Sequence, residues 1–198
     1  MSGTRAGNAL GMDAIELLRN DHQRVLRMLT QLEAGPVAFP SQDQVRERKD
    51  QVTELVMAEA RHEAVEEEYF WPMVRQALPD GDELANQAIE QENAAKHLLD
   101  ALDKAHADQP DFESMVRSVI TDARAHIDFE ETQVWPKVLA TVDKDQLAAL
   151  GEKMAKAMEK APTRPHPHAP SAPGMLKTAD KAAAAADKLR DTLTGRGQ

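Results

Sequence analysis

The chain has 198 residues (21.9 kDa), 41% of them hydrophobic and 29% charged, which suffices for one core of ordinary size and argues against wholesale disorder. Lys and Arg number 24 against 34 Asp and Glu, a net charge of −10 that disfavours gripping nucleic-acid phosphates or an anionic membrane surface. The absence of cysteine excludes disulfides, thiolate zinc sites, iron–sulfur clusters and cysteine nucleophiles, and no apolar run reaches the ~20 residues of a membrane span, so a cytoplasmic location is expected.

Only 4% of residues are aromatic, whereas Ala, Leu, Glu, Lys, Gln and Met abound, a composition that favours helix. An N-terminal arm, 1–12, precedes Asp13, which opens a helix over 13–33 with Ile15, Leu18, His22, Val25, Leu29 and Leu32 spaced three and four apart. Gly35, Pro36 and Pro40 break the chain. Ser41 and Gln44 have capping-box spacing for a second helix over 41–77. The turn at 78–81 leads to a third helix over 82–107, and Asp108-Gln109-Pro110 separates it from a fourth over 110–140. Asp143 with Gln146 predicts the cap of a shorter fifth helix ending near 160. No segment alternates with period two, and the links between helices are short. The expected fold is all-α: an up-down-up-down four-helix bundle over 13–160, with the fifth helix appended. From 161 to 198 a Pro-rich linker and an Ala-rich tail follow, with five of the eleven prolines between Pro162 and Pro173. The tail has six basic and three acidic residues, opposite in sign to the body, and 179–193 has helical composition with a thin apolar stripe.

One motif occurs twice. Residues 62–72 and 126–136 both read His-x3-Glu-Glu-x3-Trp-Pro, in the second and fourth helices, and hold the chain's two tryptophans at matching places. Residues four apart share a helix face, so His62 stacks with Glu66 and His126 with Glu130. Val52, Leu55, Glu59, His62, Glu66 and Tyr69 form one stripe; Val116, Val119 (or Ile120), Ala123, His126, Glu130 and Gln133 form another. Both pairs thus continue apolar stripes and face inward, as does His22 in the first helix. No arginine or lysine lies on these stripes near the motifs, and burying so many ionisable groups without a cation costs several kcal/mol per unpaired charge. Imidazole and carboxylate donors without sulfur suit iron, manganese or zinc, and two facing sets suggest a dinuclear centre. The ferritin-like arrangement fails: Glu59 and His62 fit Glu-x2-His, but Ala123 stands where the fourth helix needs its Glu.

Asp21-His22 followed by two His-x3-Glu-Glu…Pro helices resembles the hemerythrin-like (HHE cation-binding) family over about 13–140. The resemblance implies a non-haem di-iron site with two Fe ions, His22, His62 and His126 as terminal ligands, and Glu66 and Glu130 as bridging carboxylates. In the third helix, where the family usually has histidine, registering on Lys96-x-Leu98-Leu99 puts Glu92. Ala85, Ala88, Glu92, Ala95, Leu99 and Leu102 share its stripe, and His97 lies about 140° around the helix. Glu92 is therefore the expected third-helix ligand.

Trp71 and Trp135 are expected to turn away from the ligand stripe, Glu63, Glu67, Glu68 and Glu131 to be solvated, and Tyr69 to pack. Pro72 and Pro136 are expected to kink or end their helices. His166 and His168, in the linker, are poor ligand candidates. The resemblance implies binding of O2, peroxide or nitric oxide for sensing, storage or detoxification, with a peroxide-decomposing oxidoreductase and a metal-free helical interaction module as alternatives.

Overall fold

The computed structural model describes residues 11–167 and 176–194; the arm 1–10 and His168 lie outside them. The described residues are helical without strands: α1 (Ala14–Glu33), α2 (Gln42–Val65), α3 (Trp71–Ala77), α4 (Gly81–Lys104), α5 (Phe112–Phe129), α6 (Trp135–Thr141), α7 (Lys144–Met158) and α8 (Leu176–Thr194). A four-helix bundle forms from α1, α2 continued by α3, α4, and α5 continued by α6, with α7 packed on α1.

The local signals act as the chemistry requires. Asp13 and Ser41 each accept from the backbone N–H three residues on, while Glu16 and Gln44 reach back to the cap N–H; such caps contribute ~1 kcal/mol. Asp143 is the N-cap of α7 but makes no side-chain capping bond, so the expected cap with Gln146 is absent. Gly151 lets α7 approach closely: a Cβ there would meet the Met12 carbonyl oxygen at 2.3 Å. At the far end, Arg48 donates to both carboxylate oxygens of Glu113, at 2.9 and 2.7 Å, and to the Leu32 carbonyl, tying α1, α2 and α5 together.

The second and fourth helices are not continuous α-helix. Each passes through a π-helical turn, Glu66–Phe70 and Glu130–Val134, in which Trp71 N–H reaches Glu66 O and Trp135 N–H reaches Glu130 O, five residues back. The prolines explain this. In an unbroken α-helix the ring of Pro72 would collide with the carbonyl four residues earlier, and its missing N–H would orphan that acceptor. One wider turn absorbs both problems, so the helix neither ends nor breaks sharply.

The core falls into two apolar clusters. One gathers Ile15, Leu18, Phe70, Val74, Val138 and Met154; the other gathers Leu29, Val52, Leu55, Leu102, Phe112 and Val116. Buried His22, His62, Glu66, Glu92 and Glu130 belong to neither; His22, His62 and Glu92 fall in sequence between the two sets, and Glu66 and Glu130 sit where the first set begins on its helix.

The linker folds back on the bundle. Pro162 and Pro165 are buried, and Arg164 donates to Asp103 of α4 at 3.0 Å and to Asp191 of α8 at 2.8 Å. Asp187 accepts from the Thr163 and Arg164 amides, both at 3.1 Å, and from His166 at 3.0 Å. Burial pushes the Asp187 carboxyl up, but His166 and the two amides outweigh it and hold it below its ordinary range. A depressed folded-state pKa stabilises fully above the unfolded value of about 3.9 and is lost as pH falls through the folded one. Relative to intrinsic rates, the Thr163 and Arg164 amides should exchange slowly at neutral pH and quickly once the pH passes below the carboxylate range. Asp187→Ala should give fast exchange at every pH, which hydrogen-exchange mass spectrometry would read.

Candidate metal centre

Six side chains from four helices converge between the apolar clusters. Ligand atoms of His22, His62, Glu66 and Glu130 lie within 4.8 Å of one another, and so do those of Glu66, Glu92, His126 and Glu130. Glu66 and Glu130 belong to both groups. Each histidine presents Nε2 inward: His22 to Glu130 at 3.1 Å, His62 to Glu66 at 3.1 Å, and His126 to Glu130 at 3.3 Å.

The outer nitrogens are held by acceptors. His22 Nδ1 lies 3.1 Å from Glu131 Oε1, His62 Nδ1 lies 3.1 Å from Asp21 Oδ2, and His126 Nδ1 lies 2.9 Å from Gln91 Oε1. An acceptor at Nδ1 places the proton there, which leaves a lone pair on each inward Nε2. His22 Nε2 and His62 Nε2 face each other at 3.3 Å, an arrangement suited to two lone pairs directed at one cation.

The donor set fits a metal on a further ground. Both carboxylate oxygens of Glu66 and of Glu130, Glu92 Oε2 and His126 Nε2 are buried without a hydrogen-bond partner among the described residues. The 3.1–3.3 Å contacts of the inward nitrogens bring atoms close, yet these atoms do not gain hydrogen-bond geometry from them. Such orphaned carboxylates are costly unless a cation joins them. Titration expresses the same excess of negative charge. Burial pushes Glu92 well above the ordinary carboxylate range, with Glu66, Glu67 and Glu63 adding to the shift. Burial and Glu130 raise Glu66 as well. Burial opposes charging of His126, but Glu130 and Glu66 outweigh it and hold the imidazole up to about 9. Protons here occupy places a cation would take.

The hemerythrin HHE cation-binding domain model matches residues 13–138. The chain belongs to this family. An uncharacterized hemerythrin-like protein of Schizosaccharomyces pombe is 27% identical over 135 residues, covering 68% of this chain and 66% of that protein, just under two thirds of its length. The crystal structure of a hemerythrin HHE cation-binding domain-containing protein from Mycobacterium kansasii superposes with a TM-score of 0.62 at 25% identity, covering 75% of this chain and 86% of that one.

All six residues singled out in the sequence are gathered here, and His97 lies exposed, outside both groups. The hemerythrin-like site has walls that sequence reasoning misplaced. Trp71 and Trp135 do not turn away: Trp71 Nε1 donates to Glu92 Oε1 at 2.6 Å, and Trp135 stacks on the His22 ring at 4.8 Å. Five residues past Glu66, a tryptophan on an α-helix would point about 140° off the ligand stripe; the wider π turn removes much of that offset. The repeated Trp-Pro after each ligand pair was the available signal.

Glu63 and Glu67 are not solvated but buried, because the linker residues Pro162, Arg164, Pro165 and His166 cover that face, and Glu67 pairs with Lys96 of α4. Glu131 is partly exposed but is the acceptor behind His22. Tyr69 packs beside the first apolar cluster and hydrogen-bonds Glu68. His166 pairs with Asp187, away from the centre.

Trp71→Phe keeps the apolar wall but strands Glu92 Oε1, a loss of about 1–3 kcal/mol for a buried acceptor left unpaired. The variant should melt several degrees lower and hold metal less tightly, and calorimetry with elemental analysis would check both.

Proposed function

We propose that this hemerythrin-like domain holds two iron ions and binds O2 or a relative such as peroxide or nitric oxide, in a detoxifying or sensing role. The observation that carries the reading is the pair of four-donor groups sharing Glu66 and Glu130. His22 and His62 would hold one ion and His126 and Glu92 the other, with Glu66 and Glu130 within reach of both. A group of only four protein donors would leave a bound iron ion free to take a small exogenous ligand. Iron supplies electron transfer and affinity for diatomic and peroxide ligands.

The chain's own residues do the rest. Asp21, Glu131 and Gln91 fix the three imidazole tautomers and ring planes. Trp71 occupies one Glu92 oxygen and leaves Oε2 directed inward. The flanking apolar clusters keep bulk water from the carboxylates, which strengthens their hold on a cation. Glu92 favours the second reading, a peroxide-decomposing oxidoreductase. A carboxylate in place of the family's usual imidazole adds negative charge and stabilises the more oxidised metal, which supports redox turnover over reversible carriage. A metal-free helical module would leave the shared carboxylates buried and unpaired.

Elemental analysis of purified protein, combined with its ultraviolet–visible spectrum, should give about two irons per chain and near-ultraviolet ligand-to-metal absorption. The double variant His62→Ala, His126→Ala should lose this iron; full occupancy in it would end the reading. Glu92→Ala should lower iron content or alter the spectrum, whereas His97→Ala should leave both as in the wild type. Exposure of reduced protein to O2 and then vacuum separates the roles, since oxidation persists under redox turnover and reverses in a carrier.

A further inference from the structure

Between α2, α4 and α5 lies a cavity of about 220 Å³ whose inner wall includes Glu92 and His126. Most of its remaining wall is apolar or small, from Ala95, Leu98, Leu99, Val119 and Ala123. Three further carboxylates line it that the proposed ligand set leaves unused: Asp122, Glu59 and Glu63. Asp122 is exposed and marks the mouth, together with exposed Ala94 and Ala125. Glu59 is 8% exposed, Glu63 3% and Glu92 1%, so three buried acids share the cavity with exposed Asp122.

Glu59 and Glu63 stand one turn apart on α2, and Glu59 Oε1 and Glu63 Oε2 have no hydrogen-bond partner among the described residues. Lys96 of α4 makes its ion pair with Glu67 instead. Packing alone does not account for two such acids, since leucine or glutamine there would spare the fold the desolvation of a carboxylate. Their chemistry selects the species that would use them. An anion is repelled by these acids, and an uncharged gas gains nothing from them. A divalent cation of the kind that mixed carboxylate and imidazole donors bind is stabilised by each. The low-dielectric wall concentrates the field of the acids along the cavity.

We propose that this cavity is the route by which a divalent cation reaches the centre, with Glu59 and Glu63 forming a transit site that holds the ion before Glu92 and His126 receive it. The proposal rests on the metal-centre reading above, yet it concerns how fast the centre fills, not what it then does.

The test mixes full-length protein, stripped of metal by chelation, with Co²⁺ in a stopped-flow instrument. Trp71 and Trp135, the chain's two tryptophans, both touch proposed ligands, so quenching of their fluorescence reports arrival. The paired variant Glu59→Gln, Glu63→Gln keeps shape and removes charge. Ala125→Phe closes the mouth from an exposed position that the fold does not need, and Asp145→Asn, on exposed α7 surface, is the control. The paired variant and Ala125→Phe should each slow uptake by about tenfold or more, as loss of electrostatic focusing or of the passage predicts, with the final Co²⁺ content unchanged and Asp145→Asn at the wild-type rate. Wild-type rates in both would overturn the route. Slowing by Ala125→Phe alone would overturn the transit role of the acids, and a lower final content in the paired variant would make them ligands instead. No Co²⁺ uptake by the wild type would remove the metal-centre reading itself, a result distinct from an unchanged rate.

Discussion

Excess buried negative charge is the constraint around which this molecule is built. Glu66, Glu92 and Glu130 are almost wholly buried, and Glu59, Glu63 and Glu67 nearly so. Within reach stand three imidazoles and Lys96, too little positive charge for six carboxylates. In a low-dielectric layer this imbalance opposes folding unless a cation or protons correct it. The apolar clusters on either side hold the helices together and so hold the acids in place. Stability and metal affinity are thereby coupled: what the bundle loses by gathering carboxylates, it regains as binding energy for the ion.

The helices and the inward placement of the histidines and carboxylates were legible because both depend on period. Ile15, Leu18, His22, Val25 and Leu29 repeat at helical spacing, and a histidine inside that series must share the buried face. His-x3-Glu places two donors on one face whatever the tertiary detail. The third helix yielded to the same logic, since Glu92 shares the stripe of Ala85, Ala88 and Leu99, and His97 does not. The family match and the superposition then agree with a fold that periodicity alone had outlined.

What escaped depends on departures from period. The π turns at Glu66–Phe70 and Glu130–Val134 change the phase of everything after them, so helical counting put both tryptophans on the wrong side. The error over Glu63 and Glu67 has another cause. Their burial comes from Pro162, Arg164 and Pro165, about a hundred residues away in sequence, and no local pattern on α2 encodes a covering linker. Asp21, Gln91 and Glu131 were hidden for a third reason: they act across helices, where the partner is fixed by packing geometry and not by spacing.

Those outer partners differ, and the difference completes the charge argument. His22 and His62 are backed by carboxylates, Glu131 and Asp21; His126 is backed by the neutral amide of Gln91. Glu92 lies on the His126 side and brings there directly the negative charge that its amide partner withholds. Each of the two side-chain groups thus has a carboxylate beyond the shared Glu66 and Glu130, placed behind an imidazole in one group and among the gathered atoms in the other. A carboxylate behind a ring stands one residue removed from the gathered donor atoms, whereas the Glu92 carboxylate is among them. The two groups are therefore inequivalent, and the His126–Glu92 group, which also faces the acid-lined cavity, is the one with a carboxylate of its own among the gathered atoms.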